Sequence, residues 1–163
     1  PSESASGLKA KIGACPVDTA PQTQIKALAK YQDAKTGMWH TLLDDPTSYL
    51  ESSATGRSRP RQGLSPFPTL THLYPAGFSY AILLALRLDL IPGDLIAQYR
   101  KVALRGLDAV VANIDDEGQL QNCSFGTAMG SNLDHYRTVY ITPMPYGSAM
   151  AMCALGEYLR TYL

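Results

Sequence analysis

No charge of one sign prevails in this sequence. Its 14 lysines and arginines are matched by 14 aspartates and glutamates, so the formal net charge is zero. Nucleic acid and anionic membrane both demand a positive excess, and neither is expected as the main partner. Cysteine is scarce. Cys15, Cys123 and Cys153 are odd in number, cannot close into a disulfide set, and form no CxxC pair that would suggest a metal site. They read as small core residues. Long apolar runs are lacking as well: residues 81–86 form one of the longest, far too short to span a bilayer. No basic stretch leads into an apolar one near Pro1, so no signal peptide is visible, and the location stays open between cytoplasm and secretion. The pattern of a disordered chain is missing too, since 45% of residues are hydrophobic and 17% charged. What is left is a globular chain of 163 residues, long enough for one domain with a sizeable core.

The richest stretch is residues 37–53, GMWHTLLDDPTSYLESS. It mixes tryptophan, histidine, adjacent acids, tyrosine, glutamate and serines between two helix-like segments. Aromatic rings beside carboxylates and hydroxyls suit a sugar site, with rings for the apolar sugar face and polar groups for the hydroxyls. Loops held by helices often carry function. A capped connector whose Trp39 plugs the core explains the same residue types equally well.

Around this loop the chain reads as helices. Residues 1–20 are polar, rich in small residues and irregular. Residues 22–32 carry Ile25, Leu28, Ala29 and Gln32 on one side of a helix, which Thr36-Gly37 stops. Asp45-Pro46-Thr47-Ser48 is a turn, and Ser48 with Glu51 three residues on predicts a capping box and a helix from about Tyr49. Residues 56–75, with four prolines, two glycines and three arginines, cannot be regular helix. Residues 76–90 are helical and apolar nearly all round, hence buried. Pro92-Gly93-Asp94 breaks the chain and offers an N-cap. Residues 95–114 are amphipathic through Leu95, Tyr99, Val102, Leu107, Val110 and Ile114. A turn at 115–118, a short strand at 119–125 and a loop at 126–140 lead to Pro145-Tyr146-Gly147. These open a last apolar helix over 148–162. Apolar helices among amphipathic ones predict two layers, inner helices covered on both sides by outer ones. Both rich loops run from an outer helix into an inner one and would meet at one end.

Three blocks carry a resemblance: GMWHTLLDDPTSYLESSAT, AGFSYAILLALRLDLIPG and GQLQNCSFGTAMG…YRTVYITPMPYGSAMAMCALGEYL. They resemble the unsaturated rhamnogalacturonyl hydrolases, glycoside hydrolases of family 105, close to the family 88 unsaturated glucuronyl hydrolases. The resemblance covers about residues 22–163 with 56–75 cut out. It implies an all-α fold, part of an (α/α)6 barrel of six helical hairpins truncated at its N-terminal side. It implies a reaction on unsaturated uronyl oligosaccharides from pectin. An aspartic acid protonates the C4=C5 double bond and then activates water for attack at C5, with no metal and no organic cofactor. The family's catalytic aspartates lie in its N-terminal half, and nothing here matches its WARGNGW-like block. No catalytic residue is therefore assigned, and the chain alone is expected to be inactive.

Asp44 and Asp45 are neighbours and cannot flank one glycosidic bond from opposite sides. They are expected to fix the loop or face a helix N-terminus. The candidate substrate-binding residues are Trp39, His40, Tyr49, Glu51, Ser53 and Tyr146, all at the presumed pocket end. Core packing is the competing role for Trp39 and Tyr146, and backbone hydrogen bonding for His40. Gly126 and Gly130 in GTAMG lack the lysine of a phosphate loop and read as turns. Joining Thr55 to Ala76 would restore one continuous inner helix. Residues 56–75 are thus expected to be either translated intron sequence or a loop over the pocket mouth. A non-catalytic helical module that binds carbohydrate or protein is the other functional class the sequence allows. Oligomeric state is not indicated.

Overall fold

A computed structural model of the chain describes residues 19–51, 75–126 and 129–163. Helix α1 spans Thr19–Tyr31, strands β1 and β2 span Trp39–His40 and Leu50–Glu51, and helix α2 spans Pro75–Arg87. A 3-10 turn at Gly93–Leu95 enters helix α3, Ile96–Ala112. The short helix α4, Leu133–Arg137, precedes the long helix α5, Pro145–Tyr162. The expected irregular segment lies outside the described residues up to position 18, and its last two residues already belong to α1.

α2 is the central helix, packed against α3 on one side and α5 on the other. Its sequence explains the position: Ala76, Phe78, Ile82, Leu83 and Ala85 are all buried, leaving no polar face to turn to water. One core joins Ile25 of α1, Trp39, the α2 residues Phe78, Ile82 and Leu83, and the α3 residues Tyr99, Val102 and Ala103. A second gathers Ala76, Val110, Leu120, Cys123 and Ala151. Glu157 of α5 is buried and pairs with the Arg87 guanidinium at the end of α2, so the α2–α5 contact ends on a charge pair. That hydrogen bond and the nearby Glu157 charge hold Arg87 above its ordinary pKa.

The two-layer expectation holds for α2. For α5 it holds on one side. Gly147, Ala151, Ala154 and Glu157 are buried, whereas Met152 is 67% and Leu159 50% exposed. Pro145 takes the first turn of α5, where no backbone N–H is missed.

Three local expectations are corrected. Among the described residues no helix starts at Tyr49, Leu50 or Glu51. β2 runs extended, antiparallel to β1, with Trp39 opposite Glu51 and His40 opposite Leu50. The backbone here is paired across the hairpin instead, as in Thr41 N–H donating to Tyr49 O at 3.0 Å. The Ser48 hydroxyl does not cap a helix. It accepts from Leu42 N–H at 3.1 Å and donates back to the Asp45 carbonyl at 2.8 Å, closing the loop on itself. Asp94 is not a cap either, because α3 follows the 3-10 turn with Leu95 at its N-cap and no side-chain bond there. Residues 119–125 form isolated bridges, Ile114 with Leu120 and Ser124 with Ile141, rather than a strand. In the second loop α4 is capped by the Asn132 side chain, which accepts from His135 N–H at 3.1 Å.

Candidate substrate-binding site

The first rich loop is anchored before it begins. After α1 the Asp33 carboxylate accepts from the backbone of Lys35 and Thr36 and from the Thr36 hydroxyl. Those bonds, the Thr36 hydroxyl first, lower its pKa. Gln32 Nε2 donates to Gly37 O at 2.8 Å and to Val102 O at 2.9 Å. The Arg105 guanidinium donates to the carbonyls of Asp33 and Ala34. The turn is thereby locked onto α3.

Trp39 follows, and its ring is wholly buried. Nε1–H donates to Leu28 O at 2.8 Å, and the ring meets Phe78 edge-on at 5.3 Å. A ring with both faces enclosed has none to offer a sugar, so in this structure Trp39 takes the core-plug role.

His40, opposite Leu50, is only partly buried. Its Nδ1 lies 2.6 Å from Ser48 O. A carbonyl oxygen only accepts, so Nδ1 carries the proton. The ring lines an open hollow of about 300 Å3 with Tyr31, Asp33, Leu43 and Asp44. Ser53 lies outside the described residues.

The other three candidates come together. Glu51 is wholly buried and Oε1 accepts from Ser124 N–H at 3.2 Å and Ser124 Oγ–H at 2.7 Å. Ser124, also wholly buried, lies 3.4 Å through its Oγ from the Tyr146 hydroxyl at the start of α5. Burial chiefly, with Glu51 and Tyr146 near by, raises the Tyr49 pKa. The buried carboxylate thus joins the end of β2 to the second rich loop and to α5. Ser124 carried no signal in the sequence, because only the fold brings the segment 119–125 against Glu51.

A second clasp lies at the surface. Arg137 of α4 donates through Nε and Nη2 to Asp45 Oδ2 at 2.9 and 2.7 Å, and through Nη1 to Asp134 at 2.6 Å. The Asp45 carboxylate also accepts from the Thr47 hydroxyl. The Thr47 hydroxyl first and Arg137 next hold its pKa at about 2. Asp45 thus fixes the loop, while Asp44 is exposed and lines the hollow. A carboxylate whose pKa falls on folding contributes stability above its unfolded value and loses it as pH falls to the folded one. Asp45→Asn should melt below the unsubstituted chain at neutral pH. The gap should close as pH falls from about 4 to about 2. A gap that is unchanged at pH about 2 would count against the clasp.

Among the described residues no group of three or more histidine, cysteine and acidic side chains is gathered to hold a metal, and no helix is long and apolar enough to cross a membrane.

Three comparisons with known proteins bear on this arrangement. The sequence profile described as Glycosyl Hydrolase Family 88 matches residues 16–57 and 74–162, passing over the stretch between. The unsaturated rhamnogalacturonyl hydrolase YesR of Bacillus subtilis is 29% identical over 146 residues, which are 89% of this chain and 33% of that protein. Crystal structures described as possible members of the GH105 family, from Salmonella enterica and Klebsiella pneumoniae, are each 42% identical. Each match covers 90% of this chain and 32% of the other, with TM-scores of 0.71 and 0.72. A family 105 glycoside hydrolase of Clostridium acetobutylicum, 18% identical with a TM-score of 0.63, shares the fold. The chain therefore spans about a third of the length of these first relatives.

Proposed function

The chain belongs to glycosyl hydrolase family 88, and from that membership we propose that it forms one end of the substrate site of an (α/α)6-barrel hydrolase acting on 4,5-unsaturated uronyl oligosaccharides from pectin. The observation that carries the reading is the reach of the family match, which takes in both rich loops and the start of α5, where Glu51, Ser124 and Tyr146 meet. The name of the Bacillus relative supports the substrate class. In the proposed reaction a carboxylic acid protonates the C4=C5 double bond and water adds at C5. The hydrated ring then opens and releases its neighbour. The residues of this chain bind and orient. Asp45 is committed to Arg137 and Thr47, and the Glu51 carboxylate is enclosed around Ser124, so neither is offered as the acid. Trp39 is not part of the proposed contact surface.

The test is a chimera in which residues 16–57 and 74–162 replace the matching third of the Bacillus relative. Loss of the ultraviolet absorbance of the double bond is followed with an unsaturated rhamnogalacturonyl disaccharide. The chimera should turn it over much as the parent does, and the 163-residue chain alone should not. A chimera with native helical content that leaves the disaccharide intact refutes the reading.

The gap in the family match at residues 58–73 supports treating 56–75 as an insertion into the family pattern. The extended backbone of Leu50–Glu51 takes these two residues out of the continuous helix that first suggested it, so that gap is now its main support. Transcripts that always carry the segment would exclude an intron and leave a loop.

A further inference from the structure

A β-strand sends successive side chains to opposite faces. Trp39 and Glu51 stand opposite each other in the hairpin, and both are wholly buried. His40 and Leu50, the next pair, point the other way, and both are only partly buried. The hollow that His40 lines is therefore on the other face of the hairpin from the point where Glu51, Ser124 and Tyr146 meet.

The groups around this hollow are mostly acceptors. With Nδ1–H donating to Ser48 O, the neutral His40 ring keeps a lone pair on Nε2. Ser48 is itself held by Leu42 N–H and Asp45 O, so the ring is fixed in place beforehand. Asp33 binds the turn through Oδ1, which leaves Oδ2 as an acceptor. Among the described residues the exposed Asp44 carboxylate makes no hydrogen bond or ion pair. Leu43 and Pro46 add apolar surface. These side chains are not gathered closely enough to hold one metal ion. What they suit is a larger ligand with several O–H donors and apolar C–H faces, which describes a sugar ring. A volume of about 300 Å3 is at the lower end for small-molecule sites and has room for one ring. Ring hydroxyls are common to neutral sugars and uronates, so hydrogen bonding does not choose between them. Charge does. Lys30, with its ammonium 4.9 Å from the Tyr31 ring centroid, is the one lysine or arginine of the lining, against Asp33 and Asp44. A uronate carboxylate would meet a rim of net negative charge.

We propose that the His40 hollow binds one neutral sugar ring, whose hydroxyls donate to His40 Nε2 and to the Asp44 carboxylate. This site is separate from the one formed at Glu51 and does not depend on the hydrolase reading.

The test is a titration of the full chain, carrying nitrogen-15 histidine, with methyl galactoside and separately with methyl galacturonoside. The two rings share their ring hydroxyls and differ only in a neutral CH2OH or an ionised carboxylate. The chain has three histidines, and the signal lost in His40→Phe is that of His40. In the free chain that signal should be of the Nδ1-protonated form, and methyl galactoside should shift it. Methyl galacturonoside should bind about threefold more weakly at low salt, and high salt should narrow the gap. Asp44→Asn keeps the shape of an exposed side chain and removes its charge. It should weaken methyl galactoside about threefold to tenfold and abolish the preference over methyl galacturonoside. A merely structural aspartate would leave that preference in place. A His40 signal that methyl galactoside does not move overturns the proposal. So does equal binding of the two rings at low salt, or a preference that survives Asp44→Asn. Should His40→Phe fail to fold, the Asp44→Asn comparison decides. An inert chimera sinks only the hydrolase reading and leaves this result standing.

Discussion

Trp39→Ala should cost about 3–5 kcal/mol of folding stability, the range for deleting a large aromatic from a closed core. The ring is wholly buried and meets Phe78 edge-on. Its indole N–H satisfies the Leu28 carbonyl, and its far edge faces Gly106 on α3, where even a methyl group would stand 3.0 Å from the ring. Since Trp39 is the one tryptophan, unfolding must be followed by circular dichroism rather than by tryptophan fluorescence. Trp39→Phe should recover part of the loss, keeping an aromatic ring but leaving Leu28 O without its donor. A stability change under about 1 kcal/mol for Trp39→Ala would show that the ring is not a core plug.

Gly37→Ala should cost roughly 2–4 kcal/mol, from two causes that reinforce each other. Gly37 has φ +76°, a conformation a side chain resists. A Cβ there would also lie 2.6 Å from the Arg105 carbonyl oxygen, which belongs to the backbone of α3 and cannot swing aside. Relief requires moving the α1–β1 turn off α3. That would break the Gln32 bonds to Gly37 O and Val102 O and shift the entry to Trp39 and His40. Chemical denaturation of the purified variant measures the loss. Gly118→Ala is the control: it shares a positive φ, +77°, but has open space around it, and should lose only the backbone part.

The two variants probe different kinds of legibility. The helices could be read because each has a pattern confined to its own residues. The face Tyr99, Val102, Leu107 and Val110 repeats at helical spacing, and α2 is apolar all round. Gly37 was readable as a helix stop, though not as a contact with Arg105. The capping box at Ser48 misled because a serine and a glutamate three apart score the same in a strand that happens to find a partner. The pairing of Trp39 with Glu51 turned local helical chemistry into a hairpin. α5 reads as buried all round because its residues are apolar. Met152 and Leu159 are nevertheless exposed, because the neighbours present cover α5 on one side only.

Local pattern and the resemblance of three sequence blocks determined the family and the helical class, since these are recorded in short-range spacing and residue type. Tertiary structure decided what the described rich-loop residues touch. Whether Trp39 faces sugar or core depends on α1, α2 and α3 closing round it. Whether Asp45 is free or clasped depends on Arg137, 92 positions away. That Glu51 meets Ser124 and Tyr146 depends on three separate segments reaching one point, a distance in space that no spacing along the chain encodes.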